Sequence, residues 1–488
     1  MGPRFGDSLS LHSRTGLPKD LPMILEQFYL GCLAQASYLV VDEQTGGALV
    51  VDPRRDVDVY LEAAARHGAR IERVLLTHFH ADFVSGHLEL AAKTGARIGL
   101  GSAAEPEYTA DRLADGERIE FGQVRIEVLH TPGHTPESVC YLITDLATDP
   151  HRPHAVLTGD TLFLGDVGRP DLMSSAGHSA GDLAGRLYDS IHGKLLPLHD
   201  ELLVYPGHGA GSMCGKALSD DRVSTLGQQR ATNPALAIGT REEFIEQIAA
   251  GQPRVPGYFA HDAVLNRSQR PTLEESLSQG AGALALDDVL QLQKQGTVVL
   301  DVREPEEYSK SHLRGSLCVG LSGKFATFSG TVIAPGEDIV LIGTDEQVAE
   351  AAVRLGRIGL DRVKGHLTGG FATVAQRPEL LAAVERIDPT ELLARSADAS
   401  RRPLVLDVRM PGEVEAGAID GSVHVALPEL SERLGELPRD REVVVVCRSG
   451  YRSAIGASLL ERAGFGSLAD LRGGMLAFEE QTAGSNRA

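Results

Sequence analysis

Two groups of residues in this 488-residue chain have the types and spacing to do chemistry. The first is a series of histidines and aspartates: THFHADF holds His78, His80 and Asp82, TPGHT holds His134, TGDT holds Asp160 and YPGHG holds His208. Imidazole nitrogens and carboxylate oxygens bind divalent transition metals. Two imidazoles and one carboxylate on one octahedral face leave the opposite face for substrate and dioxygen, an arrangement that suits ferrous iron. The second group opens with Cys447, which begins CRSGYRS directly after the apolar run VVVV. A thiol at a strand-to-helix turn meets successive backbone N–H groups and the positive helix end, and Arg448 and Arg452 add charge. Such surroundings lower a cysteine pKa and hold anions.

The elements around the first group read as alternating strands and helices. Across 21–250, β-branched runs (SYLVVD, GALVVD, RVLLT, VRIEVLH, AVLTGD, LLVYPGH) alternate with helical stretches such as 59–67 and 87–93. Each run ends in a polar or Gly-rich loop, and the His and Asp motifs sit in those loops. A sheet system can hold such side chains at one edge.

This order of motifs resembles the metallo-β-lactamase superfamily, whose first motif usually reads HxHxDH. Phe83 stands where the last His of that motif would be. A two-metal hydrolase needs that imidazole for its second ion, so the reading moves from paired zinc ions to a single iron. Within the superfamily, almost all of 21–250 resembles the persulfide dioxygenases. That likeness implies an α/β fold of αββα sandwich type and one Fe(II) per chain, with His78, His134 and Asp160 as ligands. It places His80, Asp82 and His208 beside the ion or in its pocket, with direct ligation by His80 left open. Arg169, with Asp171 in GDVGRPDL, resembles a family loop near the pocket mouth, and an ion pair that stabilises this loop is the competing reading. The implied reaction oxidises a low-molecular-weight thiol persulfide with O₂ to sulfite and thiol, a step in sulfide detoxification. Glutathione, coenzyme A and other small thiols all fit as the carrier. His67, His87, His130, His178, His192 and His199 read as hydrogen-bonded loop residues.

The remainder of the chain contains a repeat. VVLDVREPEEY from Val298 reappears as LVLDVRMPGEV from Leu404, so Asp301 maps to Asp407. Gly343 maps to Cys447 and Gly370 to Gly474, with a helix expected over 454–463. Two units of roughly 100 residues are a duplicated domain rather than a solenoid, whose repeats run ~20 to 45 residues. The second copy resembles the rhodaneses: Cys447 to Arg452 has the CxxxxR spacing of their active loop, and LDVR and LRGG match as well. The resemblance implies two small α/β domains, with sulfur transfer among persulfide, sulfite and thiosulfate at Cys447. Ser449, Gly450, Tyr451 and Asp407 would support the loop. In the first copy Gly343-Thr344-Asp345-Glu346 replaces Cys-Arg-Ser-Gly, so that copy is expected to be inactive. Cys318 reads as core.

The expected organisation is a disordered lead-in over 1–20, the dioxygenase domain over 21–250, a Pro- and Gly-rich linker or clasp over 251–280, an inactive rhodanese-homology domain over 281–382 and a catalytic one over 387–480. With 47 basic against 67 acidic side chains, the formal charge of −20 disfavours nucleic acid and anionic membranes. No apolar stretch approaches the ~20 residues of a membrane helix. The N-terminus lacks an apolar signal core, so a cytoplasmic location is the default expectation. Five scattered cysteines fit neither a disulfide framework nor a CxxC site. Cys140 reads as a strand residue, Cys214 could line the metal pocket, and Cys32 receives no role. The family likeness implies a homo-oligomer, a dimer or a tetramer. Two other functions stay in view: a glyoxalase-II-like zinc thioester hydrolase sharing the same His and Asp residues, and a sulfur-carrier protein whose rhodanese copies bind partners.

Overall fold

The computed structural model describes residues 23–172, 177–252, 254–280, 282–398 and 402–485. The expected lead-in over 1–20 lies outside them. Contacts divide the chain into two compact units, the first running up to Leu273 and also taking in Arg357–Gly359, the second holding the rest from Glu274 onward.

The first unit contains two six-stranded sheets among its described residues. One runs in spatial order through Met23–Leu30, Gln35–Asp42, Gly47–Val51, Arg70–Leu75, Arg97–Gly101 and Asp111–Leu113. The other runs through Ser224–Thr225, Leu203–Pro206, Ala155–Gly159, Val139–Asp145, Val124–His130 and Arg118–Phe121. Strand side chains alternate between faces, so each sheet must bury two sets of residues. The inner set, including Tyr38, Val40, Leu49, Val128, Tyr141 and Leu157, forms one core between the sheets. The outer set of the first sheet, with Leu39, Val50 and Val74, packs under the helices Asp58–Arg66 and His87–Thr94 through Tyr60, Ala63 and Leu90. That of the second sheet, with Cys140, Leu142 and Val204, packs under Ala180–Ser190 and Arg241–Ala249 through Leu187 and Phe244. The result is the expected αββα sandwich. Burying each of these large apolar side chains contributes about 1.5–3 kcal/mol, before the entropy of ordering the chain.

The segment 251–280 is more regular than its Pro and Gly content suggests. It forms the helices Tyr258–Arg267 and Leu273–Gln279. Tyr258, Phe259 and Asn266 are buried, and this packing outweighs the weak local propensity.

Among its described residues the second unit holds two parallel five-stranded sheets with the same topology, besides a two-stranded pairing of His312–Leu313 with Leu381–Ala382. The first copy is ordered Ala283–Leu284, Val363–Leu367, Ile339–Ile342, Val298–Asp301, Leu317–Cys318. The second is ordered Glu385–Ile387, Leu468–Leu471, Val443–Val446, Leu404–Asp407, Val423–His424. The apolar runs that read as strands are the buried central ones, and each LDVR aspartate ends a strand. No helix among the described residues is long and apolar enough to cross a membrane.

Candidate active sites

Four loops at strand ends bring the His and Asp motifs together. His78 follows Arg70–Leu75, His134 lies between Val124–His130 and Val139–Asp145, Asp160 follows Ala155–Gly159, and His208 follows Leu203–Pro206. One potential ligand atom from each of His78, His134 and Asp160 lies within 4.8 Å of the others, and all three side chains are buried. Asp160 Oδ2 stands 4.0 Å from His78 Nε2 and 3.5 Å from His134 Nε2. Donors in adjacent positions on one ion with bonds of ~2.1 Å are about 3 Å apart, so a small inward adjustment would let all three bind.

The hydrogen bonds around this cluster assign its tautomers. Thr77 Oγ1 donates to Asp52 Oδ2 at 2.8 Å, so its oxygen accepts from His78 Nδ1 at 2.9 Å. His134 Nδ1 donates to the Arg169 carbonyl at 2.8 Å. Both Nε2 lone pairs are therefore left for a metal, and outer hydrogen bonds of this kind orient ligand imidazoles. Burial, then the neighbouring His80, holds His78 well below the usual histidine range, and burial likewise lowers His134. Neutral imidazoles are the ligating form.

Asp160 Oδ1 accepts from His208 Nδ1 at 2.9 Å, while the buried Oδ2 has no hydrogen-bond partner. Burial works to raise this carboxyl, but the charge and hydrogen bond of His208, then His78 and His134, outweigh it and hold it well below the usual range. His208 Nε2 is 2.8 Å from Asp82 Oδ2. Burial opposes its charge, and the two carboxylates more than offset this, so His208 is raised well above the usual range. Neutral donors and an orphaned carboxylate oxygen fit a single divalent ion.

Other expected residues fall around this centre. His80 lies outside the cluster, with Nε2 3.0 Å from Asp52 Oδ1 and its ring 4.4 Å from the buried Phe83. The Arg169 guanidinium is engaged by Asp171 at 2.7 and 2.8 Å and by the Met213 carbonyl at 3.1 Å. It is the Arg169 carbonyl that reaches His134. His87 differs from its reading as a hydrogen-bonded loop residue. It begins a helix rather than lying in a loop, and is buried 4.7 Å from Tyr108. Asp82, His208 and Cys214 form a second buried group of potential donors within 4.8 Å. Burial, then Asp82 and Asp160, pushes the Cys214 thiol well up.

Sequence reasoning missed Asp52 and Asn266. Asp52 adopts φ 50° and accepts from Thr77 N as well as from its hydroxyl. Non-glycine residues rarely take that conformation, and such strain collects at functional sites. Asn266 donates to the carbonyls of His80 and Phe83 at 2.8 and 2.7 Å and accepts from Ser85 N at 2.7 Å, which fixes the first motif. The VVD strand end was the available signal for Asp52, and nothing local singled out Asn266.

In the second unit, Cys447 leaves the strand Val443–Val446 and precedes the helix Tyr451–Arg462. Gly450 caps that helix at φ 93°, a conformation costly for side-chain-bearing residues, and its N–H donates to Cys447 Sγ at 3.1 Å. The Met475 N–H donates to the Cys447 carbonyl at 2.8 Å, and a Cβ on Gly474 would overlap that carbonyl, so LRGG closes against the loop. Arg452 forms a two-pronged pair with Glu413 at 2.6 and 2.7 Å. Arg448 and Ser449 are exposed. Tyr451 donates its hydroxyl to the Gly320 carbonyl, and its ring lies 5.5 Å from Phe328, both in the first copy. Asp407 is buried and paired with Arg409, as Asp301 is with Arg303. Cys318 packs with Tyr308 and Ala454. Cys140 is buried in a core cluster, and burial pushes its thiol up to about 11.

Residues 30–208 match the metallo-beta-lactamase superfamily, and 285–376 and 388–481 each match the rhodanese-like domain. A solved metallo-beta-lactamase from Staphylococcus aureus subsp. aureus COL is 32% identical, with a TM-score of 0.63, covering 71% of this chain and 99% of that one. The chain therefore belongs to the metallo-β-lactamase superfamily and carries two C-terminal rhodanese-like domains. Among curated relatives, the mitochondrial persulfide dioxygenase ETHE1 of Bos taurus is 28% identical over 250 residues, 49% of this chain and 85% of that protein. A hydroxyacylglutathione hydrolase of Polaromonas sp. is 35% identical over 190 residues, 38% of this chain and 66% of its own length.

Proposed function

We propose that the first unit is an iron-dependent persulfide dioxygenase and that the second copy of the repeat transfers sulfane sulfur at Cys447. The observation that carries the first assignment is the Asp160 carboxylate, whose Oδ2 is buried and unpartnered between two neutral imidazoles while Oδ1 is tied to His208. The residues that would hold Fe(II), one ion per chain, are His78, His134 and Asp160. A bound ferrous ion would supply the oxygen chemistry, which no side chain here can perform. The protein's own groups do the rest. Asp52 and Thr77 fix His78, the Arg169 carbonyl fixes His134, and His208 offsets the charge of Asp160 and Asp82. The net reaction is RSS⁻ + O₂ + H₂O → RSH + SO₃²⁻ + H⁺.

At the second site the Gly450 N–H and the helix N-terminus stabilise negative sulfur, and the exposed Arg448 attracts anionic substrate. Sulfite can attack the outer sulfur of a Cys447 persulfide. A new S–S bond forms, the Cys447 disulfide-like bond breaks, and thiosulfate and the thiolate result. Tethering both sites in one chain raises the local concentration of shared sulfite. All five cysteines are free, which accords with a reducing compartment such as the cytoplasm. Replacing Cys447 by Ser tests the two-site reading, since sulfur transfer should stop while sulfite production from supplied persulfide continues.

The second reading is zinc-dependent thioester hydrolysis, favoured by the grouping of Asp82, His208 and Cys214 and by the hydroxyacylglutathione hydrolase relatives. Phe83 argues against it by placing an apolar ring where a further ligand is needed. Metal analysis separates the two, with one iron per chain for oxygenation and two zinc ions for hydrolysis.

A further inference from the structure

The two loops that carry His78 and His134 are fastened to each other by three successive bonds. The Tyr141 hydroxyl donates to the Leu76 carbonyl at 2.7 Å. The Val139 N–H donates to the Thr77 carbonyl at 2.9 Å. The Phe79 N–H donates to Glu137 Oε1 at 3.0 Å. From Leu76 to Phe79 the partners step back through Tyr141, Val139 and Glu137, every second residue, which is the spacing of one strand face. Tyr141 and Val139 belong to the strand Val139–Asp145, whereas Glu137 lies ahead of it in the loop and bonds through its side chain. His78 is thus held on both sides, at the Thr77 carbonyl and at the Phe79 N–H.

The loop around His134 can transmit this hold because it is bonded to itself. The Thr131 N–H donates to the Ser138 carbonyl at 2.9 Å, and the Gly133 N–H donates to the Thr135 carbonyl at 3.0 Å. The Thr135 N–H donates to Ser138 Oγ at 3.1 Å, and the two hydroxyls lie 2.7 Å apart. Thr131, His134, Thr135, Glu137 and Ser138 are all buried. The backbone that carries Glu137 is itself seated: a Cβ on Gly101 would come within 2.7 Å of the Glu137 carbonyl oxygen and 2.6 Å of the Val139 side chain. A tether from Glu137 to Phe79 therefore fixes His134 against His78, whose rings stand 5.0 Å apart at 85°.

The other donors have little freedom to compensate for a change in that separation. Asp160 is tied through Oδ1 to His208, and the His134 ring is tied to the Arg169 carbonyl. We propose that Glu137 is a positioning residue for the metal centre, its bond to the Phe79 N–H setting the separation of His78 and His134. The proposal rests on the reading of His78, His134 and Asp160 as the ligand set. Glu137 acts by reach and not by charge. Glutamine has the same reach and an acceptor oxygen, whereas aspartate keeps the charge and falls short by one carbon–carbon bond.

The test uses the full chain as Glu137→Gln, Glu137→Asp and Glu137→Ala, with Co(II) as the probe ion. Affinity is measured by competition with a chelator. Glu137→Ala and Glu137→Asp should each weaken binding about tenfold or more, the scale of losing an outer partner of a ligand. Glu137→Gln should restore binding. The visible d–d bands of bound Co(II), which report donor geometry, should move in the Ala and Asp variants and keep their position in the Gln variant. In the metal-free chain, hydrogen exchange at the Phe79 amide should quicken in the Ala and Asp variants only. Faster exchange in Glu137→Ala with affinity and spectrum unchanged overturns the proposal, since the tether would then serve the loop alone. Glu137→Gln binding as weakly as Glu137→Ala also overturns it, since charge would then be the cause. If Glu137→Ala does not fold, the Gln and Asp variants decide between reach and charge. Absence of Co(II) and Fe(II) binding by the unaltered chain would overturn the iron reading. Exchange at Phe79 then decides the tether by itself, and an unchanged rate in Glu137→Ala overturns it.

Discussion

His208 Nδ1 lies 2.9 Å from Asp160 Oδ1, and this bond determines which oxygen of Asp160 is left for a metal. Without it, the carboxylate could rotate and present either oxygen. His208→Ala should therefore weaken metal binding about 10–100-fold, the usual effect of losing an outer partner. Competition against a chelator of known affinity measures this.

Thr77 links Asp52 to His78 through one hydroxyl, 2.8 Å from the first and 2.9 Å from the second. Thr77→Val keeps the volume and removes both bonds. Metal affinity should fall about tenfold or more. Stability should drop by about 1–3 kcal/mol, because Asp52 and His78 lose a buried partner. Denaturant unfolding of the metal-free protein reads the second effect separately.

The residues proposed for both sites were legible in the sequence, and little of their support was. His78, His134, Asp160 and Cys447 stood out because each sits in a short motif whose neighbours are also diagnostic. The strands were legible as apolar runs, and the repeat was legible as repeated text. Asn266 was not, because its hydrogen bonds to His80 and Phe83 span 186 and 183 residues and its own surroundings read as a linker. Asp470 and Arg386 meet only through pairing of the strands Glu385–Ile387 and Leu468–Leu471. Contacts that depend on which strands become neighbours leave no local signature.

Asn266→Ala removes three buried hydrogen bonds to the loop that carries the first motif. Two carbonyls and one N–H would be left without partners. The first unit should lose about 2–4 kcal/mol of stability, with reduced hydrogen-exchange protection at Ser85. A shift of less than about 0.5 kcal/mol, the scale of an ordinary surface change, would show that water replaces the side chain.

Asp470 predicts an unusual pH dependence. Its carboxyl is raised in the folded state, from 3.8 to about 6, so the folded protein binds more protons than the unfolded chain between those values. Stability at this site is fully present below the unfolded pKa and falls as pH rises through the folded one, a change of about 3 kcal/mol at ~1.4 kcal/mol per pH unit. Relative to Asp470→Asn, the native chain should lose most of that amount between pH 4 and pH 7. Parallel stability curves for the two proteins would contradict it.

The central claim is a single ferrous ion held by His78, His134 and Asp160, and one measurement addresses it most directly. Protein loaded anaerobically with Fe(II) is analysed for metal and then mixed with glutathione persulfide in an oxygen electrode. The account predicts one iron per chain, with one O₂ consumed for each sulfite formed. Two zinc ions per chain with thioester hydrolysis, or iron-loaded protein that consumes no O₂ with persulfide, would contradict it.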